Sequence, residues 1–268
     1  MKPIHITSRD NSLLRRARVV RNGKKPALIF VEGLRLCEEA LASGLNIEAV
    51  IYSDQFAQKA RPTLLVNTLE NAGAKSASVS EKLLESISYT KTPQGIVVLA
   101  SRPADDKASF KARQPAVPLL VVMHSINNPV NVGAIVRAAE AAGATGVIAT
   151  KATADPFSPK ALRGAMGSSF RLPIWMAANY EDVIELCRKA KIKLFAADVN
   201  ALMTHIDADW KVPCGIILGP ESTGLTPEEI RAAGQAIRIP MQGNVQSLNV
   251  SVAAGVILYE AAGQRGLT

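Results

Sequence analysis

The sequence predicts an α/β protein in two parts: a smaller α/β unit in front of a larger one built on a mostly parallel sheet. Three observations carry this. Six short apolar stretches, at 119–124, 146–150, 171–176, 192–198, 214–218 and 236–240, read as strands, with helical patterns between most of them. Apolar strands linked by crossover helices belong to a parallel sheet covered on both faces. Ahead of them, Ser101 to Pro118 is polar, carries three prolines and lacks periodicity, so it reads as a linker. Ahead of that, short strands and helices alternate over about 100 residues. The expected division is 1–100, a linker at 101–117, and 118–268.

In the front part, residues 10–21 (DNSLLRRARVVR) read as a basic amphipathic helix ended by Asn22 and Gly23. A strand follows at 27–31, then a helix at 32–42 closed by Gly44. Residues 49–53 read as a strand, 61–72 as a helix closed by Gly73, and 76–79 as a short strand. Ser80 caps a helix over 81–86, and 95–100 is a further strand.

In the back part, Asn131 to Ala142 is a helix of small apolar residues that Asn131 can cap and Gly143 ends. Ser158-Pro159 is a cap followed by proline at the first helical position. Residues 181–190 are amphipathic, and Thr226 with Glu229 forms a capping box for a helix ended by Gly234. The last strand runs into the polar loop of Gly243, Asn244, Gln246 and Ser247, and then into Leu248 to Ala262, a helix apolar on nearly every side. Such a helix belongs inside a protein. Ser247, Asn249 and Ser251 at its start either cap it or, with the free N–H groups there, hold a polar ligand.

Composition narrows the function classes. Hydrophobic content is 48% and charged content 20%, as in a globular chain. No apolar run reaches the length of a membrane span, and the start lacks the apolar core of a signal peptide. Cys37, Cys187 and Cys214 are scattered and odd in number, which suggests reduced thiols in a cytosolic protein, and isolated histidines argue against a metal site. The net charge is +8, and residues 1–25 hold eight Lys or Arg against the single acid Asp10. This favours a polyanionic partner or reflects a merely soluble basic protein. Aromatics at 4% argue against an extended base-stacking platform, so a nucleic acid would be held mainly through phosphates and shape.

Three loops at the C-terminal ends of expected strands, where open α/β sheets collect ligands, carry the candidate chemistry. In 127–143 (NNPVNVGAIVRAAEAAG), Arg137 stands among small apolar residues and must reach water, a carboxylate or a phosphate. In 218–229 (LGPESTGLTPEE), Gly219 and Gly224 bracket Glu221, which can orient a ligand, pair with Arg137, or simply sit in a tight turn. The third is the loop before the last helix. No G-x-G-x-x-G follows the strand at 119–124, no phosphate-loop motif occurs, and no Ser-His-Asp or Cys-His arrangement suggests itself.

Together NPVNVGAIVRAA, ILGPESTGL and IPM-x-G-x-V-x-SLNVS-x-A, in that order, resemble the three motifs of the SPOUT RNA methyltransferases, in the SpoU (TrmH) branch that makes 2′-O-methylated ribose. The likeness covers about 118–262. LIFVEGLRLCEEAL and TKTPQGIVVLA are similar to the substrate-binding domain of many such enzymes, itself resembling ribosomal proteins that bind kinked RNA. The resemblance implies a deep trefoil knot, S-adenosylmethionine bound by the knot loops, and a homodimer that completes the site. It implies cofactor contacts at Gly219, Ile239 and Leu248, with Met241, Gly243 and Ser247 close by, and a polar active-site set of Asn131, Arg137, Glu221 and Asn249. The implied activity is ribose 2′-O-methylation, with large-subunit ribosomal RNA favoured by the front domain. A transfer-RNA ribose methyltransferase, an enzyme conferring antibiotic resistance and a non-catalytic RNA-binding or ribosome-assembly factor are the alternatives. A cytoplasmic protein without membrane or metal is expected.

Overall fold

The computed structural model describes residues 3–266. The chain divides into two units, one of residues up to Pro103 together with Phe157–Phe170, the other of Ala104–Pro156 and Arg171 onward.

The first unit contains β1 (Ile4–Ile6), α1 (Ser12–Arg21), β2 (Leu28–Glu32), α2 (Leu34–Ala42), β3 (Ile47–Ser53), α3 (Ala60–Asn71), β4 (Lys75–Val79), α4 (Glu81–Ile87) and β5 (Ile96–Ser101). Its sheet runs β1-β4-β3-β5-β2. The pairs of β4 with β1 and β3 are parallel; those of β5 with β3 and β2 are antiparallel. Asn11 starts α1 by accepting from Leu13 N, and every third or fourth residue, Leu14, Ala17 and Val20, is buried. That spacing puts the arginines of the same helix on its other faces. Ser80 caps α4 as expected, accepting from Leu83 N. The strand β1 was not expected, because three residues beside a charged segment carry too little period.

The second unit contains α5 (Lys107–Ala112), β6 (Leu119–Met123), α6 (Pro129–Ala141) and β7 (Gly146–Thr150). Next in the chain come α7 (Pro159–Ala165) and α8 (Ser168–Arg171), both within the excursion that groups with the first unit except for Arg171. The second unit resumes with β8 (Ile174–Ala178), α9 (Tyr180–Lys189), β9 (Lys193–Ala197), β10 (Met203–Thr204), β11 (Cys214–Leu218), α10 (Pro227–Ala233), β12 (Gly234–Arg238) and α11 (Val250–Gln264). Its sheet runs β10-β12-β9-β11-β6-β7-β8, and every pair is parallel. The strands β6, β7 and β11 are buried along their whole length, which is what near-continuous apolar runs dictate in a covered parallel sheet.

Four expectations need correcting. The stretch 101–117 is not a bare linker: Asp106 caps α5, Phe110 is buried, and Met176 N donates to Asp105 O at 2.8 Å. The cap of α6 is Asn128, which accepts from Val130 N; Asn131 lies inside the helix and is buried. The strand expected at 171–176 starts later, at Ile174, because α8 runs through Arg171 and Pro173 has no N–H to give a ladder. Finally, α11 is not buried all round. Val252, Val256 and Tyr259, on one helical stripe, are exposed, while Ala254, Ile257, Leu258 and Ala261 are buried and the helix packs on α6.

Candidate active site

The second unit carries a cleft of about 610 Å³ at the C-terminal ends of β9, β11 and β12. Parallel strands all end on the same edge of the sheet, so the loops that follow them meet there. One wall is the turn after β11, from Gly219 to Leu225; another is Ile237 to Ile239 with Met241; a third is Ser247 to Val250 leading into Ala253 and Ile257 of α11. Its lining mixes apolar side chains such as Leu218, Ile237 and Ile257 with polar ones such as Asp198, Glu221 and Ser247, the usual make-up of a small-molecule site.

Gly219 is needed for shape. A Cβ there would lie 2.8 Å from Leu225 Cγ and 2.9 Å from the backbone N of Leu225. Any side chain would push this turn off the strand end. Gly224 lies at φ +65°, which favours glycine, and closes the turn with its N–H donating to Pro220 O at 2.9 Å. The turn then enters α10 through the capping box, Thr226 N donating to Glu229 Oε2 at 2.8 Å and Glu229 N to Thr226 Oγ1 at 3.2 Å.

Three of the four candidate polar residues meet at the lip. Asn131 Nδ2 donates to Glu221 Oε1, and Asn249 Nδ2 donates to Asn131 Oδ1 at 3.3 Å. Asn249 is also the cap of α11, its Oδ1 accepting from Ser251 N at 2.9 Å and Ser251 Oγ at 2.6 Å. Capping and site-building are therefore done by one amide: its oxygen holds the helix start, its nitrogen reaches Asn131. Asn131 is the hub, tying α6, the turn after β11 and the start of α11.

Arg137 is not part of this cluster. It is exposed and, among the described residues, has no hydrogen-bond or ion-pair partner, so the pairing with Glu221 does not form. It lies six positions beyond Asn131, which turns the side chain roughly 120° around the helix. Of the expected cofactor positions, Gly219, Ile239, Met241, Ser247 and Leu248 line the cleft, and Gly243 does not; it sits at φ +74° in the loop between.

The sequence reading missed two features. Asp198, Val199 and Asn200 line the cleft after β9; that they follow a parallel strand's C-terminal end was the available signal. The other is a polar network behind the turn. Glu229 Oε1 accepts from His124 Nε2 at 2.9 Å, His124 Nδ1 contacts Thr150 Oγ1 at 3.1 Å, and Tyr180 OH donates to Glu229 O at 2.8 Å. The Tyr180 ring meets that of His124 edge-on at 4.7 Å, and burial with Glu229 nearby pushes its hydroxyl pKa up, so it stays a donor. This network ties the start of α10 to the ends of β6 and β7. Cys37, Cys187 and Cys214 are free and buried, and burial pushes their thiols up, that of Cys187 to about 12. Among the described residues no group of three or more His, Cys, Asp or Glu is placed to hold a metal ion, and no helix is long and apolar enough to cross a membrane.

Residues 118–259 match the SpoU rRNA Methylase family and residues 14–98 match the MRM3-like substrate binding domain. An uncharacterized tRNA/rRNA methyltransferase of Synechocystis is 30% identical, over 97% of this chain and 94% of its own length. The 23S rRNA (guanosine(2553)-2′-O)-methyltransferase RlmP of Bacillus subtilis is 26% identical, over 89% of this chain and 90% of its own. The crystal structure of an AdoMet-bound rRNA methyltransferase from Sinorhizobium meliloti superposes with a TM-score of 0.83 at 31% identity, covering 96% of each chain. With the family match spanning more than half of the chain and a relative of this identity over nearly all of it, the chain belongs to the SpoU rRNA methylase family.

Proposed function

We propose that the protein is an S-adenosylmethionine-dependent RNA methyltransferase that methylates a ribose 2′-hydroxyl in large-subunit ribosomal RNA. The observation that carries this reading is the junction of Asn131, Glu221 and Asn249 at the lip of a cleft walled by Gly219 and Leu248. The cleft fits the cofactor: its volume suits a nucleoside with an amino-acid tail, its lining combines apolar and polar side chains, and the turn at Gly219 has no room for a Cβ. Bound there, S-adenosylmethionine supplies an electrophilic methyl group on sulfur.

The chain's own residues do the rest. A guanidinium with a pKa above about 12 is a poor general base. Arg137 instead grips a substrate phosphate and orients the ribose hydroxyl, whose proton passes to a phosphate oxygen or water. Asn131, Glu221 and Asn249 are positioning residues that hold the two loops around the cofactor. The front unit holds RNA, in line with the basic α1 and the net charge of +8.

The same proposal includes a homodimer, a trefoil knot and a cytoplasmic location. The exposed apolar stripe of Val252, Val256 and Tyr259 supports pairing of two copies, and the exposed Arg137, turned off the Asn131 face, fits a site completed across that interface. Sedimentation velocity tests the dimer directly. Support for the knot is the strand order, in which β11 follows β9 in the chain but lies between β9 and β6. Three free buried thiols accord with a reducing compartment.

The test uses purified protein, methyl-labelled S-adenosylmethionine and separate pools of ribosomal and transfer RNA. Label in large-subunit RNA, resistant to alkali at one linkage, is the expected result. Label in transfer RNA alone moves the assignment to that substrate; no label and no cofactor binding overturns the enzyme. Arg137→Ala should abolish turnover and leave cofactor affinity by calorimetry intact; parallel loss of both would put Arg137 in the cofactor pocket.

A further inference from the structure

We infer that the loop from Ser88 to Gly95 of the first unit is a rigid base-stacking contact for RNA, with the ring of Tyr89 as its stacking face; the inference rests on the proposed RNA substrate. Glu32, the last residue of β2, is only 7% exposed. Its carboxylate accepts from Ser88 Oγ, from Tyr89 N at 2.9 Å and from Thr90 Oγ1 at 2.7 Å. All three donors are neutral and all come from one loop, and among the described residues no cation pairs with Glu32. A buried carboxylate without a cation is expensive, so it marks a segment whose geometry matters.

A second hold comes from α1. Arg21 of α1 donates to Ile87 O at 3.2 Å and Ser88 O at 2.9 Å. The backbone around Tyr89 is thus held by a carboxylate and a guanidinium, while the residue as a whole is left 44% exposed. Among the described residues of this unit it is the one exposed Phe, Tyr or Trp; Phe30, Tyr52, Phe56, Phe157 and Phe170 are all buried.

The surroundings favour RNA over a protein surface. Beyond Tyr89 the loop continues as Thr90, Lys91, Thr92, Pro93 and Gln94, with Lys91, Thr92 and Gln94 exposed and Pro93 its one apolar side chain. Gln94 reaches back over Gly33, where a Cβ would lie 2.7 Å from its Oε1, and exposed Arg35 stands two residues further on. An exposed aromatic in a loop that also presents exposed Lys91 and Thr92 suits an unpaired nucleotide, its base on the ring and its phosphate at Lys91. A single such contact is compatible with the low aromatic content, which argued only against an extended platform. The pinned backbone lets binding occur without ordering the loop first.

The test is filter binding of deproteinised large-subunit ribosomal RNA across a salt series, with Tyr89→Ala, Tyr89→Phe and Lys91→Ala beside the wild type. Tyr89→Ala should weaken binding about tenfold to a hundredfold without changing the salt slope, and Tyr89→Phe should bind within about twofold of wild type. Lys91→Ala should lower the slope of log affinity against log salt by about one. S-adenosylmethionine affinity should be the same for all. Wild-type affinity in Tyr89→Ala, or an equal loss in Tyr89→Phe, would overturn the stacking role while leaving the RNA substrate intact. Failure of the wild type itself to bind would overturn the RNA reading beneath it.

Discussion

Replacing Asn131 by alanine tests whether the active-site loops are held together through one buried amide. Asn131 is 6% exposed, gives Nδ2 to the Glu221 carboxylate and takes Asn249 Nδ2 on its oxygen. A hydrogen bond to a charged group contributes about 1.5–3 kcal/mol and a neutral one about 0.5–1.5 kcal/mol. Glu221 and Asn249 are both exposed, so water replaces part of what is lost and the net effect falls to roughly 1–3 kcal/mol. Because the bonds join two loops of the cleft to α6, the loss should appear in cofactor affinity more than in global unfolding. S-adenosylhomocysteine should bind about fivefold to 150-fold more weakly by calorimetry, with a small change in melting temperature. Asn131→Asp should be worse than Asn131→Ala, since it sets a second carboxylate against Glu221. A double-mutant cycle with Glu221→Gln should return a coupling of about 1 kcal/mol. A dissociation constant within twofold of wild type, with no coupling, would refute the view that Asn131 is the hub.

Two other expectations follow from the geometry. Gly219→Ala places a Cβ against Leu225 Cγ and the Leu225 backbone, which cannot swing aside, so cofactor affinity should fall at least tenfold and the fold lose about 1–3 kcal/mol; normal affinity in the variant would show that the turn has slack. Asp106 is held below its usual value of 3.8, first by the Ser109 N–H and then by the Ser109 hydroxyl. A depressed carboxylate contributes stability that is present above the ordinary value and is lost as pH falls through the folded one. The stability gap between wild type and Asp106→Asn should therefore be constant near neutrality and shrink below about pH 4, read by thermal melts followed on Trp175. A gap that widens in acid would contradict the assignment.

Much of the architecture could be read from local pattern, because local chemistry governs it. The runs at β6, β7 and β11 are too apolar to lie anywhere but in a covered sheet, and the Thr226–Glu229 box and the Ser80 and Ser158 caps depend only on groups three residues apart. Where chain-local cues competed, the reading slipped. Asn128 and Asn131 both precede an apolar run, and only the helix geometry decides that Pro129 takes the first helical position and Asn131 turns inward. The polar composition of 101–117 hid Phe110, whose burial depends on a pocket made by distant residues.

The site divides in the same way. Its three loops were visible as motifs, because glycines and small polar residues after a strand are unusual in one dimension. Their meeting was not, since Asn131 joins residues 90 and 118 positions away, and sequence distance says nothing about such a contact. Arg137 and α11 show the converse. Their composition suggested a charge that must reach water or a partner and a helix buried all round, yet one chain leaves Arg137 and one stripe of α11 exposed, because burial belongs to the assembled surface and not to the segment. The sequence by itself therefore determined most of the strands, several of the caps and the family motifs, each set by covalent neighbours. Only the tertiary structure decided which polar groups touch, which faces stay open and which loop a buried carboxylate holds still, since those depend on through-space desolvation and packing among segments far apart in the chain.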